Sequence, residues 1–144
     1  MNVIFPRLAV LLVAGITAAC TSSTASEGNL GDRIEVAGGF YTDVTAGELQ
    51  RMMQAKDFLL VNVHMPFEGD IPGTDLSIPF DQIASNLHLL PEEQGAKIVL
   101  YCRSDRMSRI AAETLVGLGY SNIWNLDGGF NAWRATGLPF EDGG

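Results

Sequence analysis

Lys97-Ile98-Val99-Leu100-Tyr101, followed by Cys102-Arg103-Ser104-Asp105-Arg106-Met107-Ser108 and by the helix-forming residues to Leu118, decides the architecture of this chain. The first five residues form a short, nearly continuous apolar run with β-branched members, which suits a strand buried on both faces of a parallel sheet. Beyond the loop, Ala111, Thr114, Leu115 and Leu118 recur at helical spacing, and Gly117 and Gly119 supply a stop signal. The stretch therefore reads strand, loop, helix, the repeating unit of an α/β domain. Cys102 stands where the strand ends and the helix is about to begin.

That position favours anions. A loop folding over a helix start turns backbone N–H groups inward, and the helix dipole adds partial positive charge at the same end, so the thiolate form of Cys102 is favoured there. Arg103, Arg106 and Arg109 add three cations within seven residues of a chain whose net charge is −8. A thiol that only packs in the core, beside arginines that only face solvent, is the competing reading.

The residues resemble a known family. Tyr-Cys-Arg-Ser-x-x-x-Ser entering a helix, followed at residues 118–133 by Leu-Gly-Tyr-Ser-Asn-Ile-Trp-Asn-Leu-Asp-Gly-Gly-Phe-Asn-Ala-Trp, is similar to a rhodanese domain. Upstream, residues 58–63 with Ile71-Pro72-Gly73-Thr74 and Ile78-Pro79 resemble that family's early strand and Ile-Pro-Gly turn. The resemblance spans residues 44–139. It implies a three-layer α/β domain with a central, mainly parallel sheet of about five strands flanked by helices. It also implies a sulfurtransferase. Cys102 would take a sulfane sulfur from a small sulfur-containing anion or persulfide donor, hold it as a persulfide, and pass it to a thiol, cyanide or protein-cysteine acceptor.

Arg103, Ser104, Asp105, Arg106, Met107 and Ser108 are the persulfide-binding loop by this resemblance, and no cofactor is implied. Two loop positions depart from the family: Asp105 stands for the usual Gly and Met107 for the usual Arg. Asp105 is expected to bring a negative charge beside the thiolate and to need a backbone conformation that Gly takes more easily. Arg106 stands one position early for the missing cation. The preceding strand ends Asn62-Val63-His64 in place of Asp-Val-Arg, which makes Asn62, His64 and Arg109 expected neighbours of the loop. A Cys-x5-Arg phosphatase loop would need Arg at position 108, where Ser108 stands. A non-catalytic rhodanese-like binding or sulfur-delivery module, tethered to the cell envelope, remains the alternative.

At the N-terminus, Arg7, an apolar run over residues 8–16 and Thr17-Ala18-Ala19-Cys20 form a secretory signal of 19 residues. The pattern resembles a bacterial lipoprotein signal, which makes Cys20 the lipidated residue and the protein an exported, lipid-anchored component of the periplasm and cell envelope, meeting membrane through its N-terminal lipid. Cys102 is then left without a disulfide partner. Residues 20–39, rich in Ser, Thr, Gly and Ala, read as a flexible tether, and residues 40–141 as the single domain. Signal removal takes one of the 9 Lys+Arg, Arg7, and none of the 17 Asp+Glu, which moves the net charge from −8 to about −9. That acidity excludes nucleic acid as a partner class.

Elsewhere, Thr45-Ala46-Gly47-Glu48 is a capping box opening a helix with Leu49, Met52 and Met53 on its apolar stripe. Residues 58–63 read as a buried strand, 76–78 as a short one, and 122–126 as another. Asp81 is expected to cap a helix running to Leu90, and Asp127-Gly128-Gly129 to turn into a short helix carrying Phe130 and Trp133. His64 and His88 have no second ligand at helical or hairpin spacing, so no metal site is expected.

Overall fold

The computed structural model describes residues 29–144. The signal, Cys20 and the first part of the tether lie outside the described residues. Strands β1 (Asp32–Val36) and β2 (Gly39–Val44) form an antiparallel hairpin, with Ile34 opposite Tyr41. This corrects the tether reading over its last residues. Ile34 and Val36 alternate with Arg33 and Glu35, and the hairpin ladder satisfies backbone groups that a tether leaves to water. Because β1 is largely exposed, its composition resembles that of a linker.

Helix α1 (Ala46–Met53) starts at the expected capping box: Glu48 N–H donates to Thr45 Oγ1 at 3.3 Å and Thr45 N–H to Glu48 Oε2 at 2.8 Å. Strands β3 (Leu59–Asn62), β4 (Gly69–Asp70) and β5 (Leu76–Ser77) follow. Residues 81–90 do not form one helix. They fold as two 3₁₀ segments, Phe80–Ser85 and Leu87–Leu89, with Pro79 and not Asp81 at the N-cap. The break falls at Asn86, whose backbone leaves the helical region at φ −118° while its side chain donates to Gln82 O at 2.9 Å.

Strand β6 (Ile98–Tyr101), helix α2 (Arg106–Gly117), strand β7 (Ile123–Leu126), helix α3 (Gly129–Ala135) and strand β8 (Glu141–Asp142) complete the domain. The main sheet has six strands, one more than expected, in the order β1-β2-β7-β6-β3-β5, and every pairing except β1 with β2 is parallel. Strand β6 lies at its centre. Ile98 and Leu100 enter the core under α2, while Val99 and Tyr101 enter the core under α1 and α3, and all four are fully buried. That two-sided burial is why the run from Ile98 has no polar alternation.

Helix α2 buries Ser108, Ala111, Ala112, Leu115 and Val116, while Leu118, expected on the stripe, is 43 % exposed because the helix has ended before it. Outside the main sheet, β4 and β8 pair as a two-stranded antiparallel clip, Gly69 opposite Asp142. Tyr101 anchors the following turn to β6: its hydroxyl accepts the Ile71 N–H at 3.1 Å and bonds Thr74 Oγ1 at 2.7 Å and Asp70 Oδ1 at 3.0 Å. No helix among the described residues is long and apolar enough to cross a membrane.

Candidate active site

Cys102 follows the last residue of β6, at the carboxyl end of the parallel strands, where open α/β sheets leave room for ligands. It is 2 % exposed. Its Sγ accepts the Asp105 N–H at 3.1 Å, and the Ser108 hydroxyl lies 3.4 Å away while donating to Asp105 O at 2.9 Å. The loop is clamped from below by α3: Phe130 N–H donates to Cys102 O at 2.9 Å and Asn131 N–H to Arg103 O at 3.1 Å. This close docking requires Gly129, at φ 58°, since a Cβ there would stand 2.3 Å from Cys102 O and 2.6 Å from the Arg103 carbonyl carbon.

Above the sulfur lies a cavity of about 470 Å³ lined by His64, Cys102, Arg103, Ser104, Arg106, Met107 and Asn131. Arg103 and Arg106 are both exposed at its rim. The cavity thus brings Cys102, Arg103, Ser104, Arg106 and Met107 of the loop together with His64. Asn62 does not line the cavity. It is fully buried, and it donates to Gly69 O and Asp70 Oδ1, both at 2.9 Å, while its Oδ1 accepts the His64 N–H at 2.9 Å, so it supports the turn that carries His64.

Arg109 is not a cavity residue either. Its Nη2 lies 3.1 Å from Asp127 Oδ1, 3.3 Å from Asp43 Oδ2 and 3.7 Å from Asp105 Oδ2. The Asp105 charge is also differently placed than the spacing indicates. The residue does adopt a left-handed backbone, φ 107°, but its carboxylate accepts the Gly128 N–H at 2.9 Å and does not line the cavity. Burial holds both Asp105 and Asp43 above the ordinary carboxylate range, with hydrogen bonds from Gly128 and Asn125 respectively and the Arg109 charge opposing the shift.

Sequence reasoning missed Glu68 and Asn131. One Glu68 oxygen contacts His64 Nε2 and the other lies 3.6 Å from Arg103 Nη1. Its place four residues after His64 was the available signal, and for Asn131 it was the Gly-Gly-Phe-Asn block. Among the described residues, no three His, Cys, Asp or Glu side chains are arranged to hold a metal ion.

The rhodanese-like domain family matches residues 45–136, which include this loop and both of its flanking strand ends. The chain belongs to the rhodanese family. This rhodanese domain is 37% identical over 93 residues to a sulfurtransferase of Allochromatium vinosum, covering 62% of this chain and 84% of that protein. It is 27% identical over 101 residues to the thiosulfate sulfurtransferase GlpE of Vibrio cholerae, covering 70% of this chain and 93% of the relative. Among solved structures it resembles a rhodanese-related protein of Thermoplasma volcanium, at 26% identity and a TM-score of 0.60, covering 69% of this chain and 97% of that one. A rhodanese domain with sulfurtransferase homologues, its mainly parallel sheet carrying Cys102 just past the end of β6, is the fold class expected from the residues.

Proposed function

We propose that this protein is a sulfurtransferase whose Cys102 carries sulfane sulfur as a persulfide. The observation that carries the reading is the Cys102 sulfur accepting the Asp105 N–H at 3.1 Å on the floor of a cavity rimmed by Arg103 and Arg106. With thiosulfate as donor, the thiolate attacks the outer sulfur, a new S–S bond forms, the old one breaks, and sulfite leaves with its electron pair. The cations at the rim stabilise the departing anion, and the Asp105 N–H and Ser108 hydroxyl stabilise the charge on the persulfide. A thiolate or cyanide then attacks the outer sulfur of the persulfide and returns Cys102 as thiolate. The leader from Arg7 to Cys20 supports an exported form anchored at the cell envelope. Loss of fatty-acid labelling in Cys20→Ala cells is the check on that anchor.

The deciding experiment is intact mass of the reduced, signal-free protein after incubation with thiosulfate, a polysulfide or a thiosulfonate. A gain of one sulfur, about 32 Da, removed by cyanide and absent in Cys102→Ser, is expected. No gain from any donor, in a folded protein whose thiol still reacts with alkylating agents, would replace this reading with the non-catalytic binding module.

A further inference from the structure

Two exposed arginines stand at the cavity rim, but only Arg103 is opposed by a carboxylate. Glu68 Oε1 lies 3.6 Å from Arg103 Nη1, and Glu68 Oε2 contacts the buried His64 ring. Arg106 makes no ion pair among the described residues. The loop bearing Glu68 is held in place from several sides. Gly143 N–H donates to Glu68 O at 3.0 Å, Asn62 donates to Gly69 O at 2.9 Å, and the β4–β8 clip begins at the next residue. The cavity rim therefore carries one cation paired with a carboxylate, Arg103, and one without an ion pair among the described residues, Arg106.

We infer that Glu68 selects sulfur donors by charge, setting the site for singly charged sulfane-sulfur donors over dianions. The inference rests on the sulfurtransferase reading of Cys102. Glu68 does not line the cavity, but its carboxylate contacts His64 and lies 3.6 Å from Arg103, which both do, so a donor held at Arg103 feels that charge through its neighbour. One negative charge is balanced by the unopposed Arg106, whereas a second meets Glu68 and the cation that Glu68 already neutralises. His64 cannot relieve that repulsion by turning, because its ring is buried against Phe130, 5.5 Å away edge-on, and its Nε2 is engaged by the same carboxylate.

Thiosulfate and methanethiosulfonate isolate the charge. The second carries a methyl in place of one sulfonyl oxide, so the shape is nearly kept while the charge falls from two to one. Both react alike: the Cys102 thiolate bonds the outer sulfur, the S–S bond to the sulfonyl sulfur breaks, and sulfite or methanesulfinate departs with the electron pair.

The test is the second-order rate constant of persulfide formation with each donor, read by mass, in the wild-type protein, Glu68→Gln and Glu68→Ala. Both variants lose the charge, while only the first keeps hydrogen bonding to His64. Each is expected to raise the thiosulfate-to-thiosulfonate rate ratio about fivefold at low salt, with the gain shrinking as ionic strength rises. Either variant suffices if the other fails to fold. An unchanged ratio, or equal loss with both donors, overturns the charge selection and leaves Glu68 a support for His64. Loading of the wild-type protein by polysulfide but by neither of these donors overturns the charge selection alone, and failure to load from any of the three overturns the sulfurtransferase reading itself.

Discussion

The Asp105 carboxylate accepts the Gly128 N–H at 2.9 Å, which ties the Cys102 loop to the turn that opens α3. The same residue holds its backbone at φ 107° and ψ −48°, where a side chain is strained. The two terms oppose each other. Asp105→Gly relieves the strain and loses the bond, so its stability should stay within about 1 kcal/mol of the native value, whereas Asp105→Ala keeps most of the strain and should lose about 2 kcal/mol. Urea unfolding of the pair measures the difference; equal midpoints would sink the account.

Ser108 is fully buried, and its single hydroxyl proton serves Asp105 O at 2.9 Å with Cys102 Sγ at 3.4 Å. Ser108→Ala should slow persulfide formation about tenfold, since a donor that helps hold Cys102 as the reactive thiolate is removed, while stability falls by only about 1 kcal/mol. Stopped-flow rates and thermal unfolding on the same samples separate the two effects.

Gly129→Ala should be among the most damaging single-methyl changes in the domain. The added carbon would meet Cys102 O at 2.3 Å on a backbone at φ 58°, so the loop or α3 must move. A loss of about 3 kcal/mol or more is expected, with sulfur loading lost alongside. Gly47→Ala is the control: that helical position has open space around it, and the change should add about 0.5 kcal/mol. Chemical unfolding of both variants gives the contrast.

The carboxylates around Arg109 predict a pH dependence. Burial raises the folded-state pKa of Asp43 and of Asp105 above the unfolded value. A raised carboxyl binds more protons folded than unfolded. The stability it contributes is therefore fully present below the unfolded pKa, about pH 4, and is lost as pH rises through the folded one. Asp43→Asn removes one of the two groups while keeping an oxygen for the Asn125 Nδ2 bond, seen at 2.8 Å. Its stability should decline less than that of the wild-type protein from pH 4 upward, as read from urea midpoints at a series of pH values.

Much of the fold was legible because it is written in local periodicity. The run from Ile98 to Tyr101 is apolar throughout because both faces are covered, and the Thr45 and Glu48 pair marks its helix start by reciprocal bonds within one turn. Strand β1 escaped notice because an exposed edge strand needs few apolar residues and is stabilised by its ladder to β2. The segment after Pro79 carried a cap residue at Asp81, yet the chain breaks at Asn86. Propensity is a weak guide in short segments with little buried surface.

What the sequence by itself determined is the strand, loop and helix around Cys102, because the hydrophobic pattern and the turn residues act over a few neighbours. Only the tertiary structure decided which charges face the sulfur. Arg109 sits in the same helix start as Arg106 but is drawn to Asp43, 66 residues away, and to Asp127, while Glu68 crosses from a distant loop to Arg103. Such pairings follow from how strands are ordered in the sheet and how the β4–β8 clip seats its loop, and no local period in the chain encodes either.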